Sequence, residues 1–307
     1  MSDGDEADKK SCCASCGIAE IDDIKLVPCD DCDLVKYCSD ECQKNHWSQH
    51  ETACKKRAAE LRDELLFKQP ESTHHGDCPI CCLPLPIDPQ KSTMMMCCSK
   101  VICGGCNFAD QKREKEMRKI QSTCPFCRET MPETDEKIDK LRMKRVEMND
   151  PVAMSQEGID QRKKGEYQRA FEYFSKSAEL GNTEAHYKLS LMYYHGQGVE
   201  KDEGKEIHHT EEAAIGGHPL ARYNLGCEEM DNGNIERAVK HWIIAATQGE
   251  VHSMKTLMDA FKMGLVSKGD LATALRAHHT AVEATKSLQR LEAEEYHRIR
   301  KEARGLR

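Results

Sequence analysis

From residue 151 onward, apolar positions fall on a helical period and repeat in a fixed frame. The stretches "SKSAELGNTEAHYKLSLMY", "EEAAIGGHPLARYNLGCEE" and "IIAATQGEVHSMKTLMDAF" are three versions of one pattern. Ala153, Ala185, Ala221 and Ser253 take its equivalent small position, at steps of 32, 36 and 32 residues. A period in the thirties predicts paired helices stacked as a solenoid, here about four units over 151–285. Gly165, Gly181, Gly217, Gly233 and Gly249 are expected to end helices in left-handed caps. Pro219 suits a first helical turn, and Asn182, Asn234 and Asp270 can cap helix starts. Tyr167, Phe171, Phe174, Tyr187 and Tyr223 form a stripe expected in the core. His208, His209, His278 and His279 are expected in solvent, and Cys227 as a small buried residue.

Upstream, that rhythm is absent. The segment "YCSDECQKNHWSQHETAC", residues 37–54, has almost no aliphatic side chain and cannot fold by burying hydrocarbon. Seventeen of the 18 cysteines precede residue 128. With no signal-peptide pattern and no apolar run of bilayer length, such clustering points to thiolates on metal rather than disulfides. The expected compartment is intracellular, cytoplasm or nucleus, with no membrane partner. The formal net charge is -8. Four zinc ions on cysteine thiolates would make it roughly 7 more negative, which argues against general binding to nucleic acid. The run "KREKEMRKI" reads as one solvated helix face.

Cys13-x2-Cys16, Cys29-x2-Cys32, Cys38-x3-Cys42 and His50-x3-Cys54 are four ligand pairs, enough for two tetrahedral zinc sites. An x3 pair sets two ligands one helical turn apart on the same face. Zinc then replaces the missing core, at about 10–16 kcal/mol per structural ion. With "YC" opening the third pair, "CQ" after it and "W..H" beyond, residues 13–54 resemble the MYND zinc finger. The resemblance implies interleaved sites: Cys13, Cys16, Cys38 and Cys42 on one ion, and Cys29, Cys32, His50 and Cys54 on the other. His46 is then a non-ligand, and Cys12 the spare of an adjacent pair. It also implies recognition of a proline-rich peptide, with Gln43 as hydrogen bonder and Trp47 as platform. Trp47 as a mere cover for the knuckles is the competing reading. Asp30 stands where some members carry a serine, which leaves the peptide preference open.

A second cysteine module spans 78–130, with Cys78-x2-Cys81, Cys103-x2-Cys106 and Cys124-x2-Cys127 around the adjacent Cys97 and Cys98. "CPIC", "PLPID", "CGGC" and "CPFC" at these separations resemble an all-cysteine RING domain, the type found in the ubiquitin ligase subunit of the mRNA deadenylase complex. The resemblance implies Cys78, Cys81, Cys103 and Cys106 on one ion and Cys97, Cys98, Cys124 and Cys127 on the other. Neighbours in an extended segment point to opposite faces, so Cys82 or His75 stands as an alternative ligand to one of Cys97 and Cys98. Lys100 falls near the usual RING histidine position. Contact positions for a ubiquitin-conjugating enzyme carry over to Ile80, Pro125 and Arg128.

"AA..G...A.Y.LG" and the insertion in "YYHGQGVEKDEGKE" resemble the Sel1-like repeat, which presents a concave surface to an unknown protein partner. The expected fold is mainly α: two small zinc-stabilised cross-brace modules followed by an α-helical Sel1-like solenoid. Expected divisions are a tail at 1–11, a finger at 12–54, a helical linker at 55–77, a second finger at 78–130 and a charged helical linker at 131–150. After the repeats at 151–285, residues 286–307 read as an exposed charged helix or tail. With about four Zn2+, the expected function is a RING-type ubiquitin ligase whose finger and solenoid recruit substrate. The rival is a non-enzymatic adaptor.

Overall fold

The structure, a computed structural model, describes residues 12–118 and 121–303. The chain divides into two compact units, one ending at Lys68 and the other running from Gln69 onward.

In the first unit a two-residue ribbon pairs β1 (Val27–Pro28) with β2 (Lys36–Tyr37) and leads into α1 (Asp40–Leu66). Ser39 caps α1 by accepting from the Cys42 amide, with Asp40 and Glu41 in the positive first turn. The buried interior is Leu26 and Tyr37 among Cys13, Cys29, Cys32 and Cys54. Leu26 and Tyr37 alone make a poor core for the finger itself, so coordination through the cysteines has to carry its fold. The helix expected across the linker is the continuation of α1 and stops at Leu66.

The second unit opens with residues 69–77 strapped along the solenoid. Gln69 Oε1 accepts from Thr247 Oγ1 at 2.9 Å, Ser72 O from Gln248 Nε2 at 3.3 Å, and the His74 amide donates to Gly217 O at 3.0 Å. Gly217 has φ +83°, and a Cβ there would stand 2.9 Å from Ser72 O. The second finger follows as a hairpin of β3 (Ser92–Met95) and β4 (Lys100–Cys103), then α2 (Gly104–Glu116). Leu85, Met95 and Ile102 are its buried apolar residues.

The charged segment after it forms α3 (Asp135–Glu147). Its Arg142 is buried and pairs with Glu157 at 2.6 Å and Asp160 at 2.8 Å on α4 (Pro151–Lys163). Removing one partner from such a pair would strand a buried charge.

The solenoid continues through α5 (Tyr167–Glu179), α6 (Thr183–His195), α7 (Glu203–Ile215), α8 (Pro219–Asp231), α9 (Ile235–Thr247), α10 (Val251–Lys262) and α11 (Lys268–Ala284). Successive helices pair, four pairs in all from α4 to α11. The repeat position is fully enclosed in every unit: Ala153, Ala185, Ala221 and Ser253 are at most 1% exposed. The five glycines sit at φ between +80° and +92°, as a left-handed stop requires. Asn182 caps α6 and Pro219 opens α8. Asn234 makes no side-chain cap bond, and Ser267 rather than Asp270 caps α11, with Asp270 accepting from the Ser267 hydroxyl.

Other expectations need correction. Tyr167 lies at the solvent-facing start of α5, outside the core that holds Phe174. His209 stacks on Tyr193, and His278 contacts Ala246 O at 3.1 Å, so neither is solvated as expected. The last helix, α12 (Leu288–Ala303), does not project freely. It packs against α2 of the second finger and buries Arg290 and Ala293. The expected tail at 1–11 lies outside the described residues. Among the described residues, no helix is long and apolar enough to cross a membrane.

Candidate metal centres

A tetrahedral zinc ion with Zn–S near 2.3 Å needs S···S edges of about 3.8 Å. Four sets of donor atoms meet that requirement, all donors within each set lying within 4.8 Å of one another. In the first, Cys13, Cys16, Cys38 and Cys42 converge, with Cys16–Cys38 and Cys38–Cys42 Sγ separations of 3.5 Å. In the second, Cys29 and Cys54 are 3.7 Å apart, and Cys32 Sγ is 3.2 Å from His50 Nε2. Cys78, Cys81, Cys103 and Cys106 form the third, Cys81–Cys103 at 3.8 Å. Cys97, Cys98, Cys124 and Cys127 form the fourth, with Cys98–Cys124 at 4.0 Å and Cys97–Cys127 at 3.3 Å. The donor sets suit zinc, giving about four sites.

The thiols of one set lie too close to ionise independently. Burial raises the Cys13 thiol, yet amides of Cys16, Cys38 and Ser15 bring it down to about 6. Its neighbour Cys38, hydrogen-bonded to Cys16 and Cys42, is pushed up to about 12. Thiols this close cannot all ionise unless a metal balances them.

Four knuckles share one device. The residue four after the first cysteine donates its amide back to that cysteine's carbonyl: Gly17 to Cys13, Asp33 to Cys29, Cys82 to Cys78 and Arg128 to Cys124. All four have positive φ, between +54° and +76°. Cys82 is therefore the exposed turn residue of a knuckle, outside the donor set.

The Cys97–Cys98 difficulty also disappears. The segment is not extended: Cys98 and Ser99 both donate to Met95 O, and Ser99 is left-handed at φ +55°. A tight turn swings both thiols to one side. His75 lies elsewhere, its ring 3.9 Å from that of His74.

Around the first two sets, His46 Nδ1 is hydrogen-bonded to Tyr37 OH at 3.1 Å and its ring stacks on His50. It is outside both donor sets, as the resemblance implies. Trp47 is 36% exposed with its ring edge toward His50, and Gln43 is half-buried. On the second finger Ile80 and Phe126 are exposed, Arg128 is exposed and Pro125 half-buried. Phe126 was not singled out by sequence. Lys100 Nζ stands 5.8 Å from its ring centroid, and Lys100 is no ligand.

A fifth group, His74, Glu184 and His218, was missed by sequence reasoning. Glu184 Oε2 is 3.1 Å from His218 Nε2 and 3.3 Å from His74 Nε2, while Lys188 reaches Oε1 at 2.7 Å. The spacing imitates a metal site, but His218 Nδ1 accepts the Ala221 amide. That bond places the imidazole proton on Nε2, where it donates to Glu184. A metal at Nε2 would require both that proton and the cap to be lost. The group is a packed staple between the strap and the repeats: the His74 ring stacks on His218, 4.2 Å between centroids, and the His74 amide donates to Gly217 O. Burial pushes both histidines down. Burial would raise Glu184, but the hydrogen bond from His218, the adjacent His74 ring and the Lys188 charge hold it well below the usual carboxylate range.

With this geometry in place, comparison with known proteins assigns the first finger and three of the repeats. Residues 13–54 match the MYND finger family, and 153–182, 183–218 and 219–250 each match the Sel1 repeat. The chain carries a MYND finger and Sel1 repeats. Both matches lie outside residues 78–130. An uncharacterized Sel1-like repeat-containing protein of Schizosaccharomyces pombe is 27% identical over 122 residues, which is 39% of this chain and 18% of that protein. Similar solved structures include the following two. A Sel1 repeat protein from Oxalobacter formigenes is 28% identical with a TM-score of 0.43, over 49% of this chain and 65% of that one. A protective antigen of uropathogenic Escherichia coli with an SLR fold is 21% identical with a TM-score of 0.37, over 54% and 37%. The chain thus spans less than two thirds of each of these. The MYND finger and the Sel1 repeats are protein-interaction modules, so the chain is a zinc-binding protein with a protein-interaction role.

Proposed function

We propose that the second finger acts as a RING-type ubiquitin ligase, while the MYND finger and the solenoid select its substrate. The observation that carries this reading is the interleaving of its ligand pairs. First and third pairs form one donor set, second and fourth the other, with Ile80 exposed in one knuckle and Phe126 and Arg128 in another. The sixteen clustered residues hold four zinc ions. Such a finger has no nucleophile and works by holding a loaded conjugating enzyme in reactive geometry. Ile80 and Pro125 would seat that enzyme, and the forked Arg128 guanidinium would bridge it to ubiquitin. Gln43 and Trp47 would receive a proline-rich peptide.

The test is discharge of ubiquitin from a panel of conjugating enzymes onto free lysine. Ile80→Ala should weaken docking and recover at high enzyme concentration. Arg128→Ala should slow discharge without such rescue, and both variants should keep four zinc ions in native mass spectrometry. Wild-type discharge no faster than background for every enzyme would sink the ligase reading. A second reading, a non-enzymatic adaptor, is favoured by one observation: the Arg128 position is a knuckle turn filled elsewhere by Gly17, Asp33 and Cys82. The turn itself places no demand for arginine.

A further inference from the structure

The donor set Cys78, Cys81, Cys103 and Cys106 has a neighbour from the far end of the chain. Ser287 begins α12 by accepting from the Arg290 and Leu291 amides, which turns Arg290 inward. Its side chain is 5% exposed inside the second finger. Nη1 donates to Pro84 O at 2.7 Å and Thr285 O at 2.6 Å. Nη2 donates to Leu83 O at 3.2 Å and to Cys81 Sγ at 3.4 Å. The approach is tight enough to dictate a glycine: a Cβ on Gly105, between Cys103 and Cys106, would stand 2.7 Å from the Arg290 amide nitrogen. Phe108 against Tyr296 (5.0 Å between centroids) and the Lys91–Glu294 ion pair (2.8 Å) hold the helix along its length.

We propose that α12 is part of this metal centre, with Arg290 as a positioning residue that fixes Cys81 and offsets the negative charge of the four-thiolate set. The proposal rests on the reading that this set holds zinc. Four thiolates on one Zn2+ carry a net charge of about -2, which a buried site must balance. A guanidinium donor at a ligand sulfur supplies that balance, and loss of such a partner typically costs about 10–100-fold in metal affinity. The other cysteine set of the finger receives no comparable cation in the described hydrogen bonds. The proposal therefore makes metal retention in one half of the finger depend on the last helix of the chain.

The experiment uses the full zinc-loaded chain. It is challenged with a chelator and a thiol-alkylating reagent, and each cysteine is followed by mass spectrometry. In Arg290→Met, Cys78, Cys81, Cys103 and Cys106 should be alkylated about 10–100-fold faster than in wild type. Cys97, Cys98, Cys124, Cys127 and the first finger should keep wild-type rates. Arg290→Lys, which restores the cation, should recover part of the protection. Gly105→Ala keeps Arg290 but forces α12 away and should reproduce the selective loss. Wild-type rates in Arg290→Met would overturn the proposal, as would equal acceleration of both sets. No recovery in Arg290→Lys would also overturn it, because the carbonyl contacts alone would then explain the loss. If wild-type protein carries no zinc on these four cysteines and they react at once, the zinc reading fails and the proposal with it.

Discussion

The two fingers use the same knuckle, with a left-handed fourth residue returning its amide to the first cysteine, yet they are embedded differently. The first ends in the 27-residue α1, and its unit contains little besides metal donors, Leu26 and Tyr37 to hold it. The second shares one compact unit with the solenoid. It is anchored at its entry by the His74–Glu184–His218 staple and on its side by Arg290. Similar coordination chemistry, all cysteine in the second finger and with His50 replacing one thiolate in the first, therefore need not mean identical dependence on metal. A finger without a core relies on the ion, and a finger packed on helices shares the burden with them.

The largest expected effect breaks that comparison most directly. Removing zinc with a strong chelator should abolish structure in a fragment ending at Lys68. The loss of about 10–16 kcal/mol per structural ion exceeds the total stability of most small domains. In the full chain, helical circular dichroism from the solenoid should persist under the same treatment. If the solenoid melts with the metal, the second finger is supporting the repeats rather than the reverse.

Next, Phe174→Ala removes a fully buried ring packed against Gly158 and should cost about 3–5 kcal/mol, read by denaturant unfolding. Its effect should be confined to the solenoid unit, leaving zinc content of the first finger unchanged.

A smaller, pH-dependent effect probes the strap. Burial, reinforced by His74, lowers the His75 pKa from 6.5 to about 4. The unfolded chain then binds the proton first as pH falls. The contribution of a neutral His75 is complete above about 6.5 and is lost between there and about 4. His75→Gln should flatten the dependence of melting temperature on pH across that window. An unchanged slope would mean that the strap does not enclose this histidine in solution.

The smallest effect on stability is expected at Trp47. Trp47→Ala should alter stability by about 0.5 kcal/mol, within the range of surface changes, and keep both zinc ions of the first finger. If Trp47 is a platform, proline-rich peptide binding should vanish, as read by titration calorimetry. Loss of zinc instead would make it a cover for His50.

Cysteine spacing made the donor sets legible because a knuckle is local: its ligands lie within four residues and its turn geometry follows from them. Periodicity did the same for the solenoid. The small residues Ala153, Ala185, Ala221 and Ser253 mark helix contacts wherever the repeats are read. The doubt over Cys97 and Cys98 came from assuming an extended backbone, and the turn closed by Ser99 was not written in the cysteine spacing. "CGGC" did contain a signal for a close neighbour, since Gly105 is needed only where another backbone arrives.

The sequence alone determined which segments fold by metal and which by packing, because ligand spacing and hydrophobic period are properties of neighbouring residues. Tertiary structure alone decided that α12 returns to the second finger and that His74 meets Glu184 and His218. In a charged helix, Arg290 has the same local pattern whether it faces water or a thiolate. Only the arrival of Leu83, Pro84 and Cys81, more than 200 residues away in the chain, fixes which of these it does.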